Sequence, residues 1–394
     1  MRLCMISGET PWPVRGGDML LTANLINILS PSFDLDLFFI NGDVNSLRGV
    51  ACQSSRVFYS GTTSLTGKRL RQIKSVFFNE PMVVATYNHY GLKKGLNDFI
   101  DQSKPDIILF NHIRTSWLIQ YLSEKNKRPS IYIAHNAEAA TNKSIASLVK
   151  GGLIQGLLQN DSQKLTRLEE TILNSVNACV VLTEEDKERL KQINSDLLYE
   201  VIPPNIDVKG ASVDVSQSID TILLVGSFLW LPKRANAVWM AREIMPAVAK
   251  EIPGVKLKIV GAAANTLADS IGSLPYVELH SDVDSVVPYY QSPSIFVVPE
   301  RQESGIKLKT LEAAGFGLPI VSTPTGAEGT GLVDDYSIMI ANSVEQFSEK
   351  IMDLLRDSEK RTRLSLNAYG HIQNNFSSAQ ILNKYSRLFE RITE

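Results

Sequence analysis

Short apolar runs and longer amphipathic stretches alternate along almost the whole chain. The first run, RLCMIS (2–7), passes through a Gly/Pro-rich loop, GETPWPVRGGD, into the amphipathic MLLTANLINILS (19–30) and a second apolar run, DLDLFFI (34–40). That order predicts a strand, a helix and a second strand. Three more strand-like runs follow, DIILF (106–110), SIYIAH (130–135) and ACVVLT (178–183), separated by longer helical segments that include 141–177. YEVIPPNID (199–207) carries two prolines and reads as a short strand entering a linker.

After a polar gap (208–219) the alternation restarts with TILLVGS (221–227). RANAVWMAREIMPAVAKEIP reads as a helix that stops near Pro253 and Gly254. VKLKIVGAAA, YVELHSDV, SIFVVPE and LPIVSTPTG are the next strand-like runs. The segments 344–366 and 376–394 read as helical, with Ser377 placed to cap the last. The expected fold class is therefore α/β, with parallel sheets covered on both faces. The expected boundaries are a first domain over 1–207, a second over 208–375, and a C-terminal helix over 376–394.

Composition changes this picture little. With 394 residues and a net charge of −2, the chain is long enough for two domains and offers no general attraction for nucleic acid. Cys4, Cys52 and Cys179 are far apart and make no metal spacing; Cys4 and Cys179 sit in apolar runs and are expected to be buried. The opening MRLCMISGETPWP is too short an apolar run for a signal peptide, and no run of about 18 apolar residues exists. A reducing, cytoplasmic setting is the expectation.

Ligands of such folds sit at the carboxyl ends of strands, so the loops there carry the candidate chemistry. In RGGD, Gly16 and Gly17 would let backbone N–H groups approach a phosphate or sugar hydroxyl, against the plainer reading of a tight turn capped by Asp18. His135 in HNAE follows a strand directly and could bond a hydroxyl or phosphate, with Glu138 three residues on; His112 has the same kind of position. In GSFLWLPKR, Gly226 and Ser227 end a strand, and the cations Lys233 and Arg234 open the next helix, where the dipole disfavours them unless an anion is bound. In ERQESGIKLKTLEAAG, a helix from about 305 to 315 would align Gly305, Leu308 and Glu312 on one side. Lys309, three residues before Glu312, makes an ordinary ion pair the competing role for that carboxylate. No G-x-G-x-x-G, Walker or D-x-D pattern is present.

These residues together resemble the GT-B glycosyltransferases of the retaining family-4-like group. The resemblance is carried by GSFLWLPKRANAV, VKLKIVG, SIFVVPE and above all SGIKLKTLEAAGFGLPIVSTPTGAEG, with PWPVRGGD and VIPPNID in agreement. It implies two Rossmann-like domains facing across a cleft, the first holding the acceptor and the second a nucleotide-sugar donor. The last helix would cross back to the first domain. Glu312 would be the second of the family's two glutamates and would bond the donor ribose; position 304, where the first belongs, is Ser304, with Glu303 beside it. With that glutamate replaced, Ser304 and the backbone N–H groups of Gly305, Ile306 and Lys307 would take over the sugar's hydroxyls, and the helix start near Gly305 would face the diphosphate. Ser227 stands where relatives often carry arginine, leaving Lys233, Arg234 or Lys307 to meet the diphosphate. The base would lie around His280 to Val283.

The function implied is transfer of a sugar with retention from a nucleotide-sugar donor, UDP- or GDP-linked, to a saccharide, lipid-linked or other hydroxyl acceptor. It would serve polysaccharide, glycolipid or glycoconjugate biosynthesis. The leaving phosphate would help deprotonate the acceptor, with no protein nucleophile, no metal and no other cofactor. His135, Lys233 and Glu312 are the catalytic candidates. The alternatives are a non-catalytic nucleotide- or carbohydrate-binding protein, favoured by Ser227 and Ser304, or another GT-B enzyme such as a sugar-nucleotide epimerase. Two segments, GKRLRQIKSVFF (67–78) and SIASLVKGGLIQGLLQ (144–159), could touch the inner face of a membrane, against the plainer readings of a solvated helix face and of core packing.

Overall fold

The computed structural model describes residues 1–12, 14, 17–42, 56–59, 67, 70–73, 75, 80–148, 151–206, 221–291, 295–302 and 306–394. The chain divides into two compact units, 1–205 with 378–394, and 206–377. Each is built on one all-parallel sheet.

The sheet of the first unit has seven strands: β1 (Arg2–Glu9), β2 (Asp34–Asn41), β3 (Arg56–Tyr59), β4 (Ile107–Asn111), β5 (Ser130–Ala134), β6 (Ala178–Val181) and β7 (Leu198–Val201), in the order β3-β2-β1-β4-β5-β6-β7. Its strands β1, β4, β5 and β6 are nearly continuous apolar runs because both faces are covered. Along β1, Leu3 and Met5 pack with Leu25, Ile26 and Leu29 of the helix Gly17–Leu29. Cys4 and Ile6 point the other way, onto Phe38, Leu96 and Phe110. The first of these layers also holds Ile381, Tyr385, Leu388 and Phe389 of the final helix, Ser378–Thr393. Cys4 and Cys179 are buried, as expected.

The second unit carries β8 (Thr221–Val225), β9 (Lys256–Gly261), β10 (Val277–Ser281), β11 (Ile295–Val298), β12 (Ile320–Ser322) and β13 (Met339–Ile340), in the order β10-β9-β8-β11-β12-β13. Ile222, Leu224, Ile259 and Val297 face one layer, and Leu223, Val225, Val260 and Phe296 the other. In both sheets the strand order reverses once, between β1 and β4 and between β8 and β11. Such a reversal opens a crevice at the strands' carboxyl ends.

Several expectations shift in detail. The helix read as one element over 141–177 is two, Glu138–Leu148 and Gly152–Leu173, because Gly151 and Gly152 take φ of 73° and 82°. The segment 344–366 contains a break at Asp357, which ends the helix Val344–Arg356 and caps Ser358–Asn375 by accepting from the Lys360 N–H. The helix expected from about 305 starts at Leu308, since Lys307, at φ −88° and ψ 73°, is outside helical space. The short strands β3 and β13 were not anticipated.

One contact fixes the mouth of the second crevice. Gly261 has φ 138°, and a Cβ there would lie 2.0 Å from the Gly226 carbonyl oxygen. Gly261→Ala is expected to destabilise the fold by about 3 kcal/mol, from backbone strain plus displacement of Gly226. Urea unfolding of the purified variant checks this; an unchanged midpoint would show that the two strand ends can separate freely.

Candidate active site

In the first unit, the end of β4 holds the least relaxed backbone of the site. His112 sits at φ 73°, ψ 154°, a region that is essentially glycine's. This conformation lets its Nδ1 accept from the Arg114 N–H at 3.3 Å, so Nε2 carries the proton and points at Glu138 Oε1, 3.2 Å away. Asn111, one residue earlier, donates from Nδ2 to Thr22 Oγ1 (2.8 Å) and Ser7 Oγ (3.3 Å). Its Oδ1 therefore accepts from His135 Nε2 at 2.9 Å. That assignment leaves His135 Nδ1 with a lone pair, buried and bonded to no group among the described residues. The His112 and His135 rings meet edge to face, 4.9 Å apart.

Asn111, His112 and His135 line a pocket with Ser7, Gly8, Glu9, Asp18, Met19, Thr22 and Arg114. Arg114 Nη1 pairs with Asp18 Oδ2 at 2.5 Å, and Asp18 Oδ1 accepts from the Met19 N–H at the start of the helix Gly17–Leu29. Burial works against a charge on Glu138, but His112 and Asn136 outweigh it and hold the carboxyl down to about 2. Burial, reinforced by the neighbouring His112 and Arg114, pulls His135 down to about 3, so its imidazole is neutral at physiological pH.

Both depressed groups make the fold sensitive to acid. The unfolded chain protonates His135 near 6.5 while the folded chain refuses the proton until about 3. The stability this group contributes is present above pH 6.5 and is lost as the pH falls toward 3. Glu138 adds a second loss from 4.5 down to about 2. Melting temperature is expected to drop steadily between pH 6.5 and 4.5, and His135→Gln to make that drop shallower. Equal slopes for the two proteins would contradict the assignment.

In the second unit, Gly226 donates to the Val260 carbonyl (3.0 Å) and Phe228 to that of Ala262 (2.8 Å), which shapes the loop after β8. The helix Leu231–Trp239 follows, with Lys233 and Arg234 in its first turn. Lys233 forms an ion pair with Glu300, just past the end of β11. Glu300 is 9% exposed; its other oxygen accepts from Asn236 Nδ2 at 3.2 Å. Arg301 bonds Asn236 Oδ1 (3.1 Å) and lies over the Trp239 ring. Arg234 is tied through Nε to the Phe228 carbonyl.

On the helix Leu308–Gly315, Glu312 Oε2 accepts from Tyr290 Oη (3.1 Å) and Lys309 Nζ (2.6 Å), so the ion-pair reading is realised on that oxygen. Oε1 accepts from no group among the described residues. Tyr290 is itself clamped by stacking on Phe316, with centroids 4.8 Å apart. Burial and the Glu312 charge push its hydroxyl well above its ordinary range, so it stays a donor. Thr310 Oγ1 donates to the Gly326 carbonyl at 2.8 Å, joining this helix to the short helix Pro324–Ala327 after β12.

The structure thus joins Lys233 to Glu300 at the β8/β11 reversal, and His135 to Asn111 beside the β1/β4 reversal. Val283, Ile306 and Leu308 are each partly buried against one core layer of the second unit, and Lys307 is buried. Ser227 is exposed in the loop after β8, and Gly17 starts its helix. Gly16, Glu303, Ser304 and Gly305 lie outside the described residues, as do 68, 69, 74 and 76–78 of the segment 67–78. Within 67–78, Arg71 bonds the carbonyls of Ala85 and Thr86. Sequence reasoning gave Glu300, Asn236, Asn111 and Arg114 no role. Glu300 and Asn111 occupy the strand-end positions that marked His112 and His135, and that signal could have found them.

Residues 219–357 match the model of the family Glycosyl transferases group 1. An uncharacterised 44.6 kDa protein in the cps region of Klebsiella pneumoniae is 27% identical over 178 residues, 43% of this chain and 45% of that protein. The chain spans under half the length of the curated relatives it matches. Among solved structures, sucrose-phosphate synthase of Thermosynechococcus elongatus superposes with a TM-score of 0.73 at 15% identity, over 99% of this chain and 98% of that one. Anabaena HepE in complex with UDP-glucose gives 0.66 at 13%, over 99% and 100%. The protein has the GT-B glycosyltransferase fold. The GT-B chain meets the sequence expectation of two Rossmann-like parallel sheets. Among its described residues, no helix is long and apolar enough to cross a membrane.

Proposed function

We propose that this GT-B protein is a retaining glycosyltransferase that moves a sugar from a UDP- or GDP-linked donor to a hydroxyl acceptor in glycoconjugate biosynthesis. The observation that carries the reading is Glu312, held through one oxygen by Tyr290 and Lys309 with the other oxygen open to a ligand hydroxyl. A fixed carboxylate of this kind suits a ribose diol. The complex of HepE with UDP-glucose supports the donor class.

Transfer needs the charge of the leaving diphosphate to be met where it develops. Lys233 supplies that charge from the β8/β11 reversal, and in the resting protein Glu300 and Asn236 hold this network in place. The leaving phosphate takes the acceptor proton, so no protein nucleophile is required. His135 Nδ1, neutral, buried and without a partner among the described residues, is the acceptor that a sugar hydroxyl reaching it would bond, which would orient that hydroxyl.

A second reading, a binding protein without turnover, draws on Ser227 and on the neutralisation of Lys233 by Glu300. Release of nucleoside diphosphate over a panel of sugar nucleotides, with and without saccharide acceptors, separates the two. Tight nucleotide binding with no release on any donor would favour the binding protein and sink the transferase.

A further inference from the structure

The turn that carries His135 and Glu138 is gripped from behind by two buried carboxylates. Glu169, on the helix Gly152–Leu173, is fully buried, and its two oxygens accept from the N–H groups of Glu138 (2.8 Å) and Ala139 (3.3 Å). Asp186, 2% exposed on the helix Glu184–Lys191, accepts from the Ala137 N–H at 3.2 Å through Oδ1 and from Thr183 Oγ1 at 3.0 Å through Oδ2. Three successive N–H groups at the start of the helix Glu138–Leu148 are thus taken by side chains from two other helices.

A helix start needs nothing so costly. A local Ser, Thr, Asp or Asn cap satisfies it at the surface, as Thr183 and Ser343 do elsewhere in this chain. Sinking two acidic side chains costs free energy, whether they are charged or hold a proton, before their hydrogen bonds offset it. What this arrangement adds over a local cap is a fixed position for the turn itself. Glu138, whose N–H is held by Glu169, carries the carboxylate that meets His112 Nε2. His135, two residues before the N–H held by Asp186, carries the buried Nδ1 that bonds no group among the described residues.

We infer that Glu169 and Asp186 are positioning residues, which lock the His135–Glu138 turn so that the two histidines of the first-unit pocket keep one mutual geometry. The inference rests on the reading that this pocket orients a sugar hydroxyl. Glu169 is faced by Glu138 from its own turn, Asp186 from the helix Glu184–Lys191, Tyr132 from β5 and Cys179 from β6; Arg189 pairs with Asp186 at 3.5 Å. Burial, with Glu138 and Asp186 adding to it and the two N–H groups opposing it, pushes the Glu169 carboxyl up to about 8. The ionised group accepts from both N–H groups, whereas the protonated one gives up an acceptor position. The grip on the turn therefore changes as the pH passes about 8, well above the range where His135 itself titrates.

The test uses the resting full-length chain, nitrogen-15 labelled, with the imidazole signals of His112 and His135 assigned by single replacements. Between pH 6 and 9.5 the wild type is expected to show an inflection near 8 in the His112 signals. Glu169→Gln, a neutral isostere, is expected to remove it, and Glu169→Ala to shift both imidazoles at every pH. Folded variants with wild-type imidazole signals and a wild-type pH profile would overturn the inference. If neither variant folds, Asp186→Asn, which keeps the shape of the second holding side chain, takes their place, and wild-type imidazole signals in that variant overturn the inference. Turnover plays no part in this readout, so it stands or falls apart from the transferase reading.

Discussion

Replacing Glu312 with alanine is expected to weaken nucleotide binding about 100-fold and to erase the melting-temperature rise that the preferred nucleoside diphosphate gives the wild type. Hydrogen bonds to a charged group contribute roughly 1.5–3 kcal/mol each, and a diol on Oε1 would make two. A ligand that binds only the folded protein raises its midpoint in proportion to the logarithm of its saturation, so a 100-fold loss is easily read. The substitution also acts on the unliganded protein, because Tyr290 Oη is buried and loses its acceptor. The starting midpoint will drop, and the rise must be measured from that lower value. Glu312→Gln keeps the shape and an acceptor for Tyr290 while removing the charge, and should fall between the two. An undiminished rise in both variants would place the nucleotide elsewhere.

How much of this was legible depends on which physical signal each residue left. The strands were readable because both sheets are parallel and covered on both faces, so β1, β4, β5 and β6 appear as unbroken apolar runs. β3 and β13 left no such signal: one is four residues long and the other two. Helix ends were the weaker inference. The start at Leu308 turns on the backbone of Lys307, which side-chain pattern does not report, and the two glycines at 151 and 152 break, through their positive φ, a stretch whose side-chain pattern reads as one helix. In the site, His135, Lys233 and Glu312 were visible as polar residues in the strand-end loops and on the helix that follows. Their partners were not. Asn111 and His135 are 24 positions apart, Lys233 and Glu300 are 67 apart, and Tyr290 and Glu312 are 22 apart. Only the parallel order of the strands brings such pairs together, and one sequence holds no record of pairing at that range.

Lys233 and Glu300 make the sharpest test of the chemistry because the two roles of the lysine, structural and electrostatic, can be pulled apart. Lys233→Met keeps the length of the side chain and removes the charge that meets the leaving diphosphate. Losing one such preorganised group typically costs a factor of about 10²–10³ in turnover, and that is the expected fall in nucleoside diphosphate release at saturating donor. The same substitution leaves Glu300, 9% exposed, with Asn236 as its remaining side-chain donor among the described residues, so stability should drop as well. Glu300→Gln on its own leaves the cation in place and keeps an acceptor for Asn236. It should lose stability modestly and retain most of the turnover. The double variant, Lys233→Met with Glu300→Gln, then decides the matter. A merely structural pair predicts that removing both charges restores stability and turnover together. A lysine that meets the diphosphate predicts recovered stability with turnover still depressed by the full factor. Turnover that returns in the double variant would assign the charge stabilisation to Arg234 or Lys307, and would leave Lys233 as part of the scaffold that holds the β8 and β11 loops together.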